Sequence, residues 1–270
     1  MREVSRAVDL LKDCEWYHKI TLSDGTVTPG HDWEYLWDNI RNAKKDVDYH
    51  GKSVLDLGAM EGMWAFEAES SGASYVVTID MTDRCVDKLL YCRTDLKSSI
   101  VPLFNVRVEN LVEMLPSVRK PFDIIQHLGL FYHLQDPLGS FSQCRQLIKT
   151  NGLLVLETAA ERSSSNSCMI FNGVKPNDYH SESSYWWRMY DGGHPQWMPT
   201  IPCLKEMLLI SGFVPLVETI SIVDQPQTKA INSDDPAAVY RRCRVALVAR
   251  AVEKEEISSA TLRKVVRYRG

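Results

Sequence analysis

The chain of 270 residues is long enough for one sizeable α/β domain, and 44% hydrophobic with 24% charged residues is the composition of a globular protein that can bury a core. A net charge of −4 argues against affinity built on many phosphate contacts, which disfavours nucleic acid as a partner. No apolar run approaches the length that spans a bilayer, and the opening MREVSRAVDLLK is too charged for a signal peptide.

Residues 1–50 read as a helical and lid segment. Val4, Ala7, Val8 and Leu11 recur at helical spacing, and the aromatic-rich loop WYHKITLSDGTVTPGHDWEYLW follows. From residue 51 to 251, apolar runs alternate with helical segments. SVLDL (53–57), SYVVTI (74–79), IVPLFNV (100–106), FDIIQHL (122–128) and GLLVLET (152–158) suit strands buried on both faces of a parallel sheet. Cys85 and Cys92 share one predicted helix face and read as core. The seven cysteines are scattered without CxxC spacing, which predicts buried thiols in a reducing cytoplasm and no metal centre.

Asp136-Pro137 predicts a helix N-cap with proline at the first helical position, and Asn151-Gly152 is expected to close that helix. Residues 159–200 form a Tyr- and Trp-rich insertion of a length that connections reach chiefly as lids or binding loops. Leu204, Met207 and Leu208 stripe a later helix that stops at Gly212. GFVPLVETIS (212–221) and RCRVALVARA (242–251) follow with only a polar, turn-rich linker between them, which predicts an antiparallel hairpin. The expected fold is therefore α/β: a doubly wound, mostly parallel seven-stranded sheet of Rossmann-like type with one antiparallel strand. Residues 252–270 form a tail whose basic end, KVVRYRG, reads as solvated.

In such sheets the ligand lies beyond the carboxyl ends of the strands. The first strand ends at Asp56-Leu57-Gly58, and Gly62 opens the next helix. A pyrophosphate needs a GxGxxG turn, but here the pattern is G-A-M-E-G with Met60 in place of the second glycine. A ligand without phosphates fits better. S-adenosylmethionine has an amino-acid tail, a sulfonium and a ribose diol; Gly58 would let the backbone approach it, Asp56 would organise the loop, and Asp80 at the second strand end would accept the ribose hydroxyls.

The motif D-L-G-A-M-E-G and the strand order resemble the class I methyltransferases that use S-adenosylmethionine and release S-adenosylhomocysteine. Within that class, GLFYHLQDPL (129–138) and LVLET (154–158) are similar to segments of the relatives of tRNA wobble-uridine carboxymethyltransferase. This resemblance implies cofactor positions at Lys19, Trp33, Gly58 and Leu128, a ribose-side pair at Asp80 and Thr82, and an adenine-side pair at Val108 and Glu109. It also implies that Tyr132, Arg244 and Lys19 would engage the extra carboxylate of carboxy-S-adenosylmethionine. Against that cofactor, another lysine of the family falls at Asp38, and the long N-terminal extension of those enzymes is mostly missing.

For the chemistry, the segment leaving the fourth strand carries Tyr132 and His133. His133 is the preferred base because a histidine titrates near neutrality, with a purely structural histidine as the alternative. The insertion supplies Tyr185, Trp186, Trp187, Arg188 and Trp197 as substrate-contacting candidates, and His180 and His194 as alternative bases. The leading expectation is methyl transfer to an oxygen or nitrogen of a small aromatic or heterocyclic metabolite. The alternatives are carboxymethyl transfer to a tRNA wobble uridine and a cofactor-binding module without catalysis.

Overall fold

The computed structural model describes residues 15–115, 121–162, 164–171, 197–224, 242–253 and 256–257. Five strands run parallel: β1 (Ser53–Leu57), β2 (Tyr75–Ile79), β3 (Val101–Leu103), β4 (Phe122–Leu128) and β5 (Ile148–Glu161). A small two-stranded sheet, β6 (Met169–Phe171) with β7 (Trp197–Pro199), stands outside them. The chain returns through β8 (Phe213–Pro215), β9 (Ser221–Asp224) and β10 (Arg242–Ala251), with β10 antiparallel to β5, β8 and β9. The order β3-β2-β1-β4-β5-β10-β8 reverses direction between β1 and β4, which opens a crevice beyond their carboxyl ends.

Alternation along the strands divides the core in two. Leu55, Leu57, Ile125 and Leu156 face one cluster, while Val54, Ile124 and Val155 face the other. This two-sided burial accounts for the unbroken apolar runs. The described helices that flank the sheet are α1 (Glu34–Ala43), α2 (Met63–Ser70), α3 (Val86–Asp95), α4 (Leu111–Met114), α5 (Pro137–Leu147) and α6 (Ile201–Ile210). Helix α1 buries Leu36, Trp37 and Ile40 and lies over β9 and β10. Among the described residues no helix is long and apolar enough to cross a membrane.

The fold differs from the expectation in three places. Helix α5 begins on the Asp136 cap, whose Oδ1 accepts the Gly139 N–H at 2.8 Å, but it ends at Leu147 and not at Asn151-Gly152. Ile148 already pairs with Phe122, and the register then slips so that Ile124 meets Leu153; Asn151, at φ 65°, sits in that irregular stretch of β5. The expected strand over 212–221 is broken by a 3₁₀ turn at Val217–Thr219 into β8 and β9, which pair with successive parts of β10 and make the sheet eight-stranded. The third strand is also shorter than its apolar run. Among the cysteines, Cys85, Cys92, Cys144 and Cys243 are buried as expected, whereas Cys168 is exposed. The proposed helix over 1–12, the linker before β10 and most of the tail lie outside the described residues.

Candidate active site

The crevice beyond β1 and β4 is a cavity of about 990 Å³, its open mouth included. One wall is made by strand ends. After Leu57 the chain turns through Gly58 at φ 70°, Met60 at φ 49° and Gly62 at φ 90° before entering α2. A Cβ on Gly58 would approach the Leu130 side chain to 3.3 Å in a backbone conformation that L-residues rarely adopt, so the loop needs glycine there.

Asp80, just past β2, is the organising acid of this wall. Its Oδ2 accepts the Met60 N–H and its Oδ1 the Thr82 N–H, each at 3.0 Å. Burial raises the Asp80 pKa above the usual carboxylate range, although these donated bonds oppose the shift. The Thr82 hydroxyl also donates to Oδ1, at 3.4 Å, so of the roughly four lone-pair sites of the carboxylate one on Oδ2 remains for a further donor. Gly58, Asp80, Val108, Glu109, Leu128, His133 and Arg244 line the same cavity.

Deeper in the crevice, Arg244 on β10 meets Glu157 on β5 in a two-pronged pair, Nε to Oε1 at 2.6 Å and Nη2 to Oε2 at 2.8 Å. The Tyr132 hydroxyl accepts from both Nη atoms at 3.3 Å, and the guanidinium carbon lies 4.7 Å from the Tyr132 ring centroid. Burial alone would lower the Arg244 pKa; the Glu157 carboxylate outweighs it and holds the guanidinium firmly charged. Tyr132 therefore approaches the cavity through Arg244, while its ring lies 4.0 Å from that of His133.

Besides Tyr132, six predicted residues among those described do not line the cavity. Asp56 turns beneath the loop, where Gln126 Nε2 donates to its Oδ1 at 3.3 Å and Tyr49 in turn donates to Gln126 Oε1. Its Oδ2 has no hydrogen-bond partner, and burial pushes the carboxyl up to about 7. Gly62 closes the loop as the N-cap of α2, and Thr82 braces Asp80. Lys19 pairs at the surface with Asp32 and Glu34, the latter at 2.7 Å. Trp33 stacks on His31, with centroids 4.6 Å apart, and meets Tyr17 edge-on. Trp197 donates to the Leu134 carbonyl at 2.9 Å and sits against Phe171. Tyr185, Trp186, Trp187, Arg188, His180 and His194 fall outside the described residues.

The opposite wall comes from residues the sequence did not single out. Tyr17, His18, Leu36, Trp37 and Ile40 line it, with Trp64 of α2 beside them. His18 Nδ1 lies 3.0 Å from Oε2 of Glu61, a carboxylate of the glycine loop whose Oε1 accepts the Tyr17 N–H at 3.0 Å. Burial pushes Glu61 up, but the bond and charge of His18, the Tyr17 amide and Lys88 more than compensate and hold it below the usual range. Forty-three residues separate the pair in sequence. Glu61 within the glycine loop was the signal that could have drawn attention to it. Among the described residues, no three His, Cys, Asp or Glu side chains gather as a metal site.

A family model described as a methyltransferase domain matches residues 31–217. Curated relatives include the tRNA U34 carboxymethyltransferase of Pseudoalteromonas translucida (strain TAC 125), 27% identical over 186 residues that make up 68% of this chain and 54% of that protein. That of Pseudomonas putida (strain W619) is 24% identical over 203 residues, 73% of this chain and 58% of that protein. The chain thus spans about half the length of the curated relatives it matches. Among solved structures, the N-terminal domain of EvdMO1 with SAH bound superposes with a TM-score of 0.62 at 18% identity, over 93% of this chain and 96% of that one. An S-adenosylmethionine dependent methyltransferase from Mesorhizobium loti gives 0.54 at 16% identity, over 79% and 96% of the two chains.

Proposed function

Since the chain belongs to the methyltransferase domain family, we propose that it moves a methyl group from S-adenosylmethionine to an oxygen or nitrogen of a small aromatic or heterocyclic acceptor. The observation that carries this reading is Asp80. Its carboxylate is fixed by two backbone N–H groups at the end of β2 and lines the cavity beside Gly58. That is an acceptor built for a diol, next to a loop whose Met60 crowds the place a pyrophosphate would need.

When bound there, S-adenosylmethionine supplies a methyl carbon activated by the sulfonium. Gly58 lets the loop backbone lie close, Asp80 accepts the ribose hydroxyls, and Val108 and Glu109 border the adenine. Tyr132 and Arg244 close the deep end, and His133 lines the same side of the cavity. Trp37 and Trp64 in the opposite wall offer the flat apolar contact that an aromatic acceptor uses. In this reading residues 51–251 form the cofactor-binding core and residues 15–40 face the acceptor; most of the insertion at 159–200 lies outside the described residues. The four buried thiols favour a cytoplasmic setting.

Carboxymethyl transfer is the weaker reading on two grounds. Glu157 already neutralises Arg244, and Lys19 is engaged by Asp32 and Glu34 at the surface, so neither cation is left unpaired for an extra carboxylate. The net charge of −4 also gives a tRNA little to hold.

Calorimetry tests the reading. S-adenosylhomocysteine should bind the full chain, and Asp80→Ala should weaken that binding by about 1–3 kcal/mol through the lost ribose bonds. Equal affinity in the variant would remove Asp80 from the site. Tighter binding of carboxy-S-adenosylmethionine than of S-adenosylmethionine would install the carboxymethyl reading instead.

A further inference from the structure

We infer that His18 is the general base of this cavity, taking the acceptor's proton on Nε2, and that Glu61 is its positioning residue; the inference rests on the methyl-transfer reading above. Three observations carry it. His18 is buried yet lines the cavity, so its ring is open only toward that space. The contact of Nδ1 with a carboxylate at 3.0 Å requires a proton on Nδ1, which leaves Nε2 as an acceptor; no hydrogen bond to that atom occurs among the described residues. Glu61 belongs to the loop between Gly58 and Gly62, so the base is tied to the same backbone that lies against the cofactor.

The local chain is built to hold that ring still. The Thr28 hydroxyl donates to the His18 carbonyl at 2.8 Å and accepts the Ile20 N–H at 2.8 Å. Gly30 lies so near that a Cβ there would stand 2.2 Å from the His18 carbonyl carbon, a contact no other residue type could make. The charged and titratable groups around the pair are Lys88, 3.6 Å from Glu61 Oε1, Cys85 at 3.9 Å from the same oxygen, Asp80 across the loop, and Tyr17 and His31 alongside. In the transfer, the acceptor's lone pair forms the new bond to the methyl carbon as the sulfur–carbon pair returns to sulfur. The acceptor's proton passes to Nε2, the resulting imidazolium faces the Glu61 carboxylate, and the proton leaves to solvent after the product departs.

His133 lines the cavity as well, its ring 4.0 Å from that of Tyr132, whereas the His18 ring is held by a carboxylate that fixes its tautomer. A base must stay reachable once the cofactor is seated, and that gives a test needing no knowledge of the acceptor. Diethyl pyrocarbonate acylates unprotonated imidazole nitrogens. Its rate at each histidine of the full chain can be followed by mass spectrometry across pH, with and without saturating S-adenosylhomocysteine.

In the complex, His18 is expected to react within about twofold of its rate in the free protein and far faster than the fully buried His127. Glu61→Leu should replace the single His18 tautomer seen by ¹⁵N NMR with a mixture of both, because nothing then holds the proton on Nδ1. A tenfold shielding of His18 would show that it lies under the cofactor and would overturn the proposal. So would reactivity no greater than that of His127, which would make the pair a structural staple. A single tautomer retained in the variant would remove Glu61 as the positioning residue. If that variant fails to fold, the shielding measurement on the unaltered chain still decides the role of His18. Failure of S-adenosylhomocysteine to bind at all is a separate result: it would sink the methyl-transfer reading itself.

Discussion

The wall formed by the strand ends and the wall formed by residues 15–40 face each other across one cavity, but they are held by different forces. The first is fixed by ladder register: Leu57 is opposite Ile79 on one side and His127 on the other, so Gly58 and Asp80 emerge side by side wherever the parallel sheet forms. The second is hung on that framework by side chains, chiefly Glu61 to His18 and Tyr17 and Thr28 to His18 and Ile20, with α1 resting on β9 and β10. A ladder distributes its strength over many backbone bonds. A hung wall concentrates it in a few buried polar groups, so single substitutions should separate the two.

The largest effect is expected where the ladder wall itself contains a concentrated charge. Glu157→Gln leaves the Arg244 guanidinium buried without its counter-ion, which should lower unfolding stability by about 3–5 kcal/mol in urea titration. A loss below about 1 kcal/mol would mean that water or the Tyr132 hydroxyl satisfies Arg244 unaided. The wall would then be less dependent on the pair than its geometry implies.

Asp56 offers a test of the ladder wall through pH. Its folded-state pKa, about 7, lies above the ordinary value near 3.8, so between those values the folded protein holds a proton that the unfolded chain has released. Stability from this residue is therefore full below about pH 4, declines as pH rises, and is lowest above pH 7. Asp56→Asn should remove that decline, with a gain of about 2–4 kcal/mol at pH 8 relative to the native chain and little change at pH 4. Parallel stability–pH curves for the two proteins would show that Asp56 ionises freely in the fold.

These contrasts also mark what the sequence could reveal. The ladder wall was legible because two-sided burial writes continuous apolar runs, and because Asp56, Gly58 and Asp80 stand at the ends of those runs. The Asp136-Pro137 cap was legible for a local reason, since the bond it makes spans three residues. Asn151-Gly152 misled: the pair permits φ > 0, but whether it ends a helix or serves an irregular strand depends on Ile148 finding Phe122, a partner outside any local window. The break between β8 and β9 is likewise set by how each segment meets β10. His18 and Glu61 carried no periodic signal, being joined only by folding, so attention fell on His133 beside the recognisable Tyr132.

The hung wall can be loosened with the smallest change of the three. Thr28→Val keeps the shape of the side chain but removes the hydroxyl that both accepts from the Ile20 N–H and donates to the His18 carbonyl. Both backbone groups would be left buried without a partner, at a cost of about 1–3 kcal/mol. The loss should be local, because the strands owe nothing to Thr28. Hydrogen exchange should quicken for amides of residues 17–31 while those of β1 and β4 keep their protection. If β1 and β4 lose protection in step, the two walls unfold as one unit, and residues 15–40 are as integral to the fold as the sheet they cover.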